Sequence, residues 1–404
     1  MNELTWAPLI PLIGGQMLGA EKAFGKPPEA IYSFQGFEAN DSHYVNYQQN
    51  IKGRDIQYVN LTEVNPSRQI DVISGTPPCA ALSQLNTGKT EAAKGAGCAK
   101  NEWMYEVFTR GIDDFRAKAV VVENAPALYT NKGKAVADNL YKICKERGYS
   151  LTLYKTSTKY HGIPQARDRT FAIAWQSETA PIMNWYKRDK KVFAEYLEEV
   201  PDTALQQDLI INSKLMDEPF FRYVRSLTNG DARELVIEQG QITAFNYILK
   251  KNLLDDAHKW FIKVGDEKGV KITEHAKGKF AMNKGIWDGS VHVFKECMNA
   301  VIGRNLADTI HPLKDRSLTV REALHMMGFP EDFELVGGLP KTNHIAQNVP
   351  VPTSRDIHSE IRKFINGELQ FSDTDYLRQN NHKEIIERDP LGRNVTATLE
   401  EFFA

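Results

Sequence analysis

An apolar run that stops at a glycine and a pair of prolines is the feature that most constrains the fold of this chain. Residues 70–73 read Ile-Asp-Val-Ile and are followed by Ser-Gly-Thr-Pro-Pro-Cys at 74–79. This pattern predicts a buried strand that ends in a stiff loop. Ligands of open α/β sheets bind outside the carboxyl ends of the strands, so Cys79 is a candidate functional residue. A buried, inert cysteine is the alternative interpretation of this segment alone.

Strand and helix patterns alternate along the first 175 residues. The strand-like segments are 9–13, 31–40, 70–73, 119–124, 149–156 and 170–175, and the helical segments are 101–116 and 139–147. Such alternation predicts an α/β fold with a doubly wound sheet. After Trp175 the pattern changes to short amphipathic stretches, polar turns and aromatic residues. The stretch from about Gly367 is charged and irregular, and we predict no regular structure there.

Size and composition are those of an ordinary globular enzyme. The chain has 404 residues, 42% hydrophobic and 25% charged, which is enough for two domains or for one large domain with an inserted lobe. No apolar run reaches the length of a membrane span, and no secretory signal pattern is visible, so we expect a cytoplasmic protein without a membrane partner. The four cysteines are far apart and predict neither a zinc site nor a disulfide framework.

Polar residues mark the ends of the first strands. Gly14-Gly15 follows an apolar run and precedes a helical pattern, a turn at which a ligand can approach the backbone and the helix N-terminus. Glu38 ends the second strand and suits a ribose diol, although a solvent-exposed glutamate is the alternative. Asp55-Ile56 marks a third polar strand end.

A carboxylate and two arginines follow the later strands. Glu123 ends the uninterrupted apolar run 119–124, and burial there would raise its pKa toward neutrality, as a proton donor requires. A structural pair with a basic neighbour is the alternative. Arg167 and Arg169 stand at the start of the strand 170–175, and we expect one to face the active cleft and the other to pack or pair structurally.

The segment 250–284 has the composition of a nucleic-acid surface. It carries nine lysines against five acidic residues, with Trp260, Phe261 and Phe280 among them. Lysines interleaved with aromatic side chains suit a phosphate backbone and bases. A solvated face of a helical lobe is the alternative, and the net charge of −2 for the whole chain does not decide between them.

Four motifs in order resemble those of the DNA (cytosine-5) methyltransferase family over most of residues 9–365. They are the Pro-Pro-Cys loop with Ser83, the Glu123-Asn124 strand end, Gln165-x-Arg167-x-Arg169, and Arg316-x-Leu318-Thr319-x-Arg321-Glu322 with Gly328-Phe329-Pro330. In the last motif, Thr319 and Glu322 also predict a helix that begins with a capping box.

The resemblance implies a Rossmann-like class I methyltransferase domain with an inserted target-recognition lobe. It divides the chain into a catalytic domain at 1–175, the recognition lobe at 176–305, and a return to the catalytic domain with C-terminal helices at 306–404. The implied partner is double-stranded DNA, bound by a monomer in the cytoplasm, associated with the nucleoid, in a restriction-modification or phage setting.

The resemblance also implies the chemistry. A methyl group passes from S-adenosylmethionine to C5 of a flipped-out cytosine, while the Cys79 thiolate is bound covalently to C6. Glu123 would hold the base and give a proton to N3, Arg167 would contact the base, and Arg169 would be structural, with Asn124 completing the catalytic set. Contacts to DNA would come from Ser83, Gln165, Lys277, Lys279 and Lys284.

The implied donor site is where this sequence departs from the family. Its assigned residues are Ile10, Leu12, Gly14, Gly15, Leu18, Glu38, Asp55, Ile56, Pro77, Gln347 and Asn348. The family's Phe and first Gly are Ile10 and Leu12 here, and its Gly-Asn-Ser/Ala-Val-Pro is Ala-Gln-Asn-Val-Pro at 346–350. A different or modified donor, or an RNA substrate, is therefore an alternative. A non-catalytic DNA-binding relative is another, but such a protein has no need of Cys79, Glu123 and Arg167.

Overall fold

The computed structural model describes residues 3–33, 58–60, 69–79, 81–83, 95, 97–201, 210–238, 243–282, 291–335, 342–387 and 396–397. The chain divides into two compact units. The first consists of Met1–Lys190, Met327–Gly337 and Gln347–Ala404, and the second of Lys191–Met326 and Gly338–Ala346. The chain passes from one unit to the other after Lys190 and after Met326, whereas the sequence placed the divisions at 175 and 305. That 1–175 is a catalytic domain, 176–305 a recognition lobe and 306–404 a return to the catalytic domain stays a prediction.

The described helices and strands have the following bounds. The strands are β1 (Trp6–Leu9), β2 (Ile31–Ser33), β3 (Tyr58–Asn60), β4 (Val72–Gly75), β5 (Ala119–Asn124), β6 (Ser150–Ser157), β7 (Gln165–Ala166), β8 (Asp168–Trp175), β9 (Met298–Asn299), β10 (Tyr376–Asn380), β11 (Ile385–Glu387) and β12 (Thr396–Ala397). The helices are α1 (Gly15–Phe24), α2 (Glu102–Asp113), α3 (Lys134–Glu146), α4 (Phe193–Glu198), α5 (Pro219–Ser226), α6 (Ala232–Glu238), α7 (Ala244–Lys250), α8 (Leu254–Lys263), α9 (Glu267–Ala281), α10 (Gly303–Asp308), α11 (Val320–His325), α12 (Thr342–Gln347) and α13 (Val351–Ile365).

The first unit is built on one twisted sheet. Within the described residues its strand order is β12-β11-β10-β6-β8-β5-β4-β1-β2-β3. Strands β3, β2, β1, β4 and β5 are mutually parallel, whereas β8 runs antiparallel to both of its neighbours. The carboxyl ends of β1, β4 and β5 therefore lie side by side at one edge of the sheet, where open α/β sheets bind ligands.

Both faces of this sheet are covered by helices. On β5, Val120 and Val122 pack with α2 and α3 in one apolar cluster, whereas Val121 packs with α1 and α13 in another. Alternate residues of a strand point to opposite faces, so a run of consecutive valines is what a strand buried on both faces requires. The predicted doubly wound α/β fold is confirmed.

The second unit is mostly helical around an aromatic core. Phe220 of α5 lies with its ring centroid 4.8 Å from that of Phe245 in α7 and 6.4 Å from that of Phe261 in α8. The predicted capping box is present at α11: Thr319 accepts from the Glu322 backbone N–H, and the Glu322 side chain accepts from the Thr319 N–H.

The expectation of an irregular C-terminal stretch is wrong. Strand β10 pairs in parallel with β6, and β11 returns antiparallel to β10. The sequence pattern does not predict this strand, because the strand buries polar side chains. The Gln379 side chain accepts from the Met183 N–H and donates to the Met183 carbonyl, so its burial is stabilised by two hydrogen bonds that no local pattern reveals.

Candidate active site

Three neighbouring strand ends bring the predicted motifs together. Leu9 at the end of β1 is in register with Gly75 of β4, and Gly75 with Val122 of β5. The segments that follow these three residues are the Gly14-Gly15 turn, the loop to Cys79, and Glu123. Motifs separated by more than 100 residues in sequence thus emerge at one edge of the sheet.

Glu123 and Arg169 form a buried ion pair at this edge. Arg169 Nε lies 2.6 Å from Glu123 Oε1, and only 1% of the Glu123 side chain and 15% of the Arg169 side chain are exposed. The pairing of β5 with β8 places Glu123 opposite Phe171, two residues beyond Arg169. Burial raises the pKa of Glu123, while Arg169 and Arg167 oppose that rise. The carboxyl group therefore holds a proton more readily than a glutamate in water.

Arg167 is fully buried between β7 and β8. Its Nη2 donates to the main-chain carbonyl of Asn348 at 2.9 Å. Burial and the charge of Arg169 lower its pKa to about 9, which leaves the guanidinium charged at neutral pH. Both arginines act electrostatically on Glu123 and on Cys79, and which of them would face a base in the cleft stays a prediction. The contact with the carboxylate belongs to Arg169.

Cys79 is half-buried at the end of the loop that leaves β4. Burial and the nearby Glu123 raise the pKa of its thiol, whereas Arg169 and Arg167 lower it. The two guanidinium groups are thus the local source of thiolate stabilisation, which a nucleophilic cysteine requires.

Asn124 ends β5 with its side chain turned back on the loop. Its Oδ1 accepts from the Ala125 backbone N–H at 2.8 Å, and its Nδ2 is buried without a hydrogen-bond partner among the described residues. A buried amide that lacks a partner is costly unless a ligand or water satisfies it. The predicted place of Asn124 in the catalytic set is compatible with this geometry.

The glycine turn starts α1 as predicted. Gly14 has a φ of 104°, a left-handed conformation that suits glycine, and caps the helix without a side chain. The Gly15 N–H instead donates to Asn348 Oδ1 at 3.1 Å. A Cβ on Gly15 would lie 2.3 Å from the Val349 carbonyl oxygen, so the glycine is required for this close approach.

Gln16 belongs to this turn, and the sequence analysis did not single it out. Its Oε1 accepts from the Thr76 hydroxyl at 2.7 Å, and its buried Nε2 has no partner among the described residues. Thr76 begins the loop that carries Cys79, so Gln16 joins α1 to that loop. Its position directly after Gly14-Gly15 is the sequence feature that could have identified Gln16.

Ile10 and Leu12 show how the altered turn is accommodated. Both have left-handed backbones, with φ of 58° and 54°, and both pack into the apolar core, where Ile10 is 0% exposed and Leu12 9% exposed. A left-handed conformation costs a non-glycine residue about 1–2 kcal/mol. Because Ile10 has no exposed surface, its predicted contact with a donor is not supported in this geometry.

The remaining predicted residues have varied surroundings. Pro77 and Gln165 are buried, Leu18 and Ser83 are half-buried, and Gln347 is exposed. Gln165 Nε2 donates to Met327 Sδ at 3.7 Å.

In the second unit, Lys277 pairs with Asp255 at 2.6 Å, and Lys279 is half-buried. Glu38, Asp55, Ile56 and Lys284 lie outside the described residues. Among the helices that the structure describes, none is long and apolar enough to cross a membrane.

The chain is similar to known proteins over most of its length. A family described as C-5 cytosine-specific DNA methylase matches residues 6–363. Type II methyltransferase M.Bpa9945I of Bacillus paralicheniformis is 23% identical over 337 residues, which cover 76% of this chain and 74% of the relative. Type II methyltransferase M.NgoPII of Neisseria gonorrhoeae is 26% identical over 313 residues, covering 75% and 80%.

Two solved structures share the fold. A DNA modification methyltransferase encoded within an Escherichia coli prophage superposes with a TM-score of 0.54 at 17% identity, over 90% of this chain and 99% of that one. The Entamoeba histolytica methyltransferase EhMeth gives a TM-score of 0.52 at 13% identity, with the same coverage.

Proposed function

Because the chain belongs to the C-5 cytosine-specific DNA methylase family, we propose that it transfers a methyl group from S-adenosylmethionine to C5 of a flipped-out cytosine in double-stranded DNA. One observation carries the proposal: Cys79 and Glu123, at the carboxyl ends of the adjacent strands β4 and β5, interact electrostatically with Arg167 and Arg169 at the amino end of β8. A nucleophile, a proton donor and two cations are the groups that this reaction needs.

Cys79 is the nucleophile. Cytosine C5 is a poor nucleophile by itself, so the Cys79 thiolate adds to C6, and the electron pair of the C5–C6 double bond becomes available at C5. Burial and Glu123 raise the pKa of the thiol, and the charges of Arg169 and Arg167 oppose that rise and so favour the thiolate. At the end of the reaction C5 loses its hydrogen as a proton to water, the S–C6 bond breaks to restore the thiolate, and N3 returns its proton to Glu123.

Glu123 supplies the proton that balances the addition. Burial raises its pKa, so the carboxyl group holds a proton more readily than a glutamate in water and can give it to N3 of the ring as the S–C6 bond forms. The charge left on the carboxylate is then compensated by Arg169, which already lies 2.6 Å away. Arg167 stays beside the reacting groups as a second fixed cation.

The turn at the start of α1 and the neighbouring strand ends suit a polar donor molecule. Gln16 Nε2 and Asn124 Nδ2 are buried donors without partners among the described residues, and a bound ligand can satisfy them. S-adenosylmethionine supplies an electrophilic methyl group when bound. Gly14, Gly15, Leu18, Pro77 and Gln347 would hold it from the described residues, with Glu38 on the ribose and Asp55-Ile56 beside the adenine.

DNA would be bound through the basic segment 250–284 of the second unit, with Ser83 and Gln165 close to the extruded base. The reaction is expected in the cytoplasm, where the DNA of a prokaryote lies, and with a single copy of the chain.

Mass spectrometry of nucleosides tests the function directly. DNA from cells that express the protein should contain 5-methylcytosine, and DNA from cells that express Cys79→Ser should not. Cys297→Ser is the matched control, because Cys297 is also half-buried but lies in the second unit. Unmodified cytosine with the folded wild-type protein would contradict the proposal, and a different mass added to cytosine would identify a different donor.

A further inference from the structure

Asn348 makes two hydrogen bonds that join separate parts of the site. Its side-chain Oδ1 accepts from the Gly15 N–H at 3.1 Å, and its main-chain carbonyl accepts from Arg167 Nη2 at 2.9 Å. The residue is 1% exposed. We propose that Asn348 is a positioning residue, which holds the Arg167 guanidinium beside Cys79 and Glu123 by anchoring its own backbone to the start of α1.

The anchor acts at the start of α1, where the N-cap residue makes no side-chain cap with the described residues. The first N–H groups of a helix lack partners within the helix, and a side-chain oxygen normally accepts from them at the N-cap. Gly14 holds the N-cap position and has no side chain. Asn348, 333 residues further along the chain, supplies the acceptor oxygen for the Gly15 N–H. Because Gly15 has no Cβ, the segment 348–349 can approach the start of α1 closely enough for this bond.

The position of Arg167 matters because its charge acts on both reacting groups. Burial raises the pKa of Cys79 and of Glu123, and the charge of Arg167 opposes that rise in both groups. If the Asn348 backbone loses its anchor, the guanidinium gains freedom, and its average effect on the thiol falls. The inference rests on the proposed function for the role of Cys79 as the nucleophile, but its consequence is measurable without donor or DNA.

The test is the pH dependence of Cys79 alkylation by iodoacetamide in the free protein. A Cys297→Ser background leaves Cys79 as the half-buried thiol, since Cys98 and Cys144 are buried. Asn348→Ala should raise the midpoint pH by about half a unit, which slows alkylation below the midpoint by roughly threefold. Asn348→Ser is the second variant.

Two comparisons separate positioning from general damage. Thr353→Val alters a buried side chain in α13 whose hydroxyl has no partner among the described residues, and it should leave the midpoint unchanged. In an Arg167→Gln background, Asn348→Ala should cause no further shift, because the charge through which it acts is gone. An unchanged midpoint in folded Asn348→Ala and Asn348→Ser, or an equal shift in the Arg167→Gln background, overturns the inference.

Binding of S-adenosylhomocysteine, measured by titration calorimetry, distinguishes failure of this inference from failure of the proposed function. If the wild-type protein does not bind it, the proposed donor is wrong, while the alkylation result still decides the role of Asn348. If the wild-type protein binds it, Asn348→Ala should bind it about 2- to 10-fold more weakly, the effect of one hydrogen bond at the turn. Equal affinity would contradict the anchor at Gly15.

Discussion

Arg169 Nε lies 2.6 Å from Glu123 Oε1, in a pair whose carboxylate is almost wholly removed from solvent. Breaking a buried pair by removing one partner leaves an uncompensated charge and costs about 3–5 kcal/mol. We therefore expect Arg169→Ala to lower the free energy of unfolding by about 3 kcal/mol at pH 8. Arg147→Ala is the control: it removes a more exposed pair with Asp113, which contributes less than about 1 kcal/mol.

The cost of Arg169→Ala should depend on pH. The folded pKa of Glu123 is raised above its ordinary value of 4.5, so the native state retains this proton longer than the unfolded state, and stability falls as pH rises through the interval above 4.5. Without Arg169 the folded pKa rises further. Urea midpoints of the variant and wild type should therefore be similar near pH 4.5 and diverge toward pH 8; a constant difference would show that the lost charge pair is not the cause.

Cys79 should form a covalent adduct with DNA that contains 5-fluorocytosine. Hydrogen leaves C5 as a proton, but fluorine cannot leave as a cation. Elimination is therefore blocked once C5 is methylated, and the S–C6 bond persists. Cys79→Ser should abolish the adduct on a denaturing gel and leave DNA affinity within about threefold, because the hydroxyl is a far weaker nucleophile of similar size. Equal trapping by both proteins would exclude Cys79 as the nucleophile.

Local sequence was sufficient for the strands that carry the site. Consecutive valines before Glu123 and the stop at Gly75 predict buried strands, and the parallel register then brings their ends together. Local sequence was insufficient for contacts made by buried polar side chains. The choice between Arg167 and Arg169 as the partner of Glu123 depends on the pairing of β5 with β8, and the anchor of Gly15 lies 333 residues away.

Gly19 should not tolerate alanine. A Cβ there would lie 2.4 Å from Ser354 Cβ, where α1 packs against α13, and Ser354 Oγ donates to the Gln16 carbonyl at 2.6 Å. Overpacking of this kind costs about 1–3 kcal/mol. Gly278→Ala in α9 is the matched control, because no atom lies within 4 Å of its added Cβ, and it should stabilise by about 0.5–1 kcal/mol. Thermal unfolding should show opposite shifts, and equal shifts would contradict the packing argument.

Replacement of Lys277, Lys279 and Lys284 by glutamine should weaken the salt dependence of DNA binding. Each lost phosphate contact lowers the slope of log affinity against log salt by about 0.9, so the slope should fall by roughly two to three. The Lys277–Asp255 pair is exposed and weak, so it can exchange for phosphate. A control that replaces the exposed Lys132, Lys142 and Lys383 of the first unit should keep the slope. An unchanged slope in the triple variant of the second unit would show that DNA binds at another surface.

Plain S-adenosylmethionine should bind weakly, because the turn that would receive it offers no aromatic side chain to the adenine. Ile10 is buried and offers no aromatic wall to the adenine, whose stacking is worth on the order of 1 kcal/mol. We expect a dissociation constant above about 10 μM, or less than roughly 7 kcal/mol of binding free energy, by titration calorimetry. Low-micromolar or tighter binding would contradict this expectation.

Leu12→Gly should separate stability from donor affinity. Glycine adopts the left-handed backbone at residue 12 without strain, which returns about 1–2 kcal/mol, but the loss of a core leucine costs about 2–5 kcal/mol, so the melting temperature should fall. The smaller residue also lets a ligand approach the turn, so S-adenosylmethionine should bind several-fold more tightly. A variant that melts earlier and binds no better would show that the Leu12 side chain does not limit access to the donor.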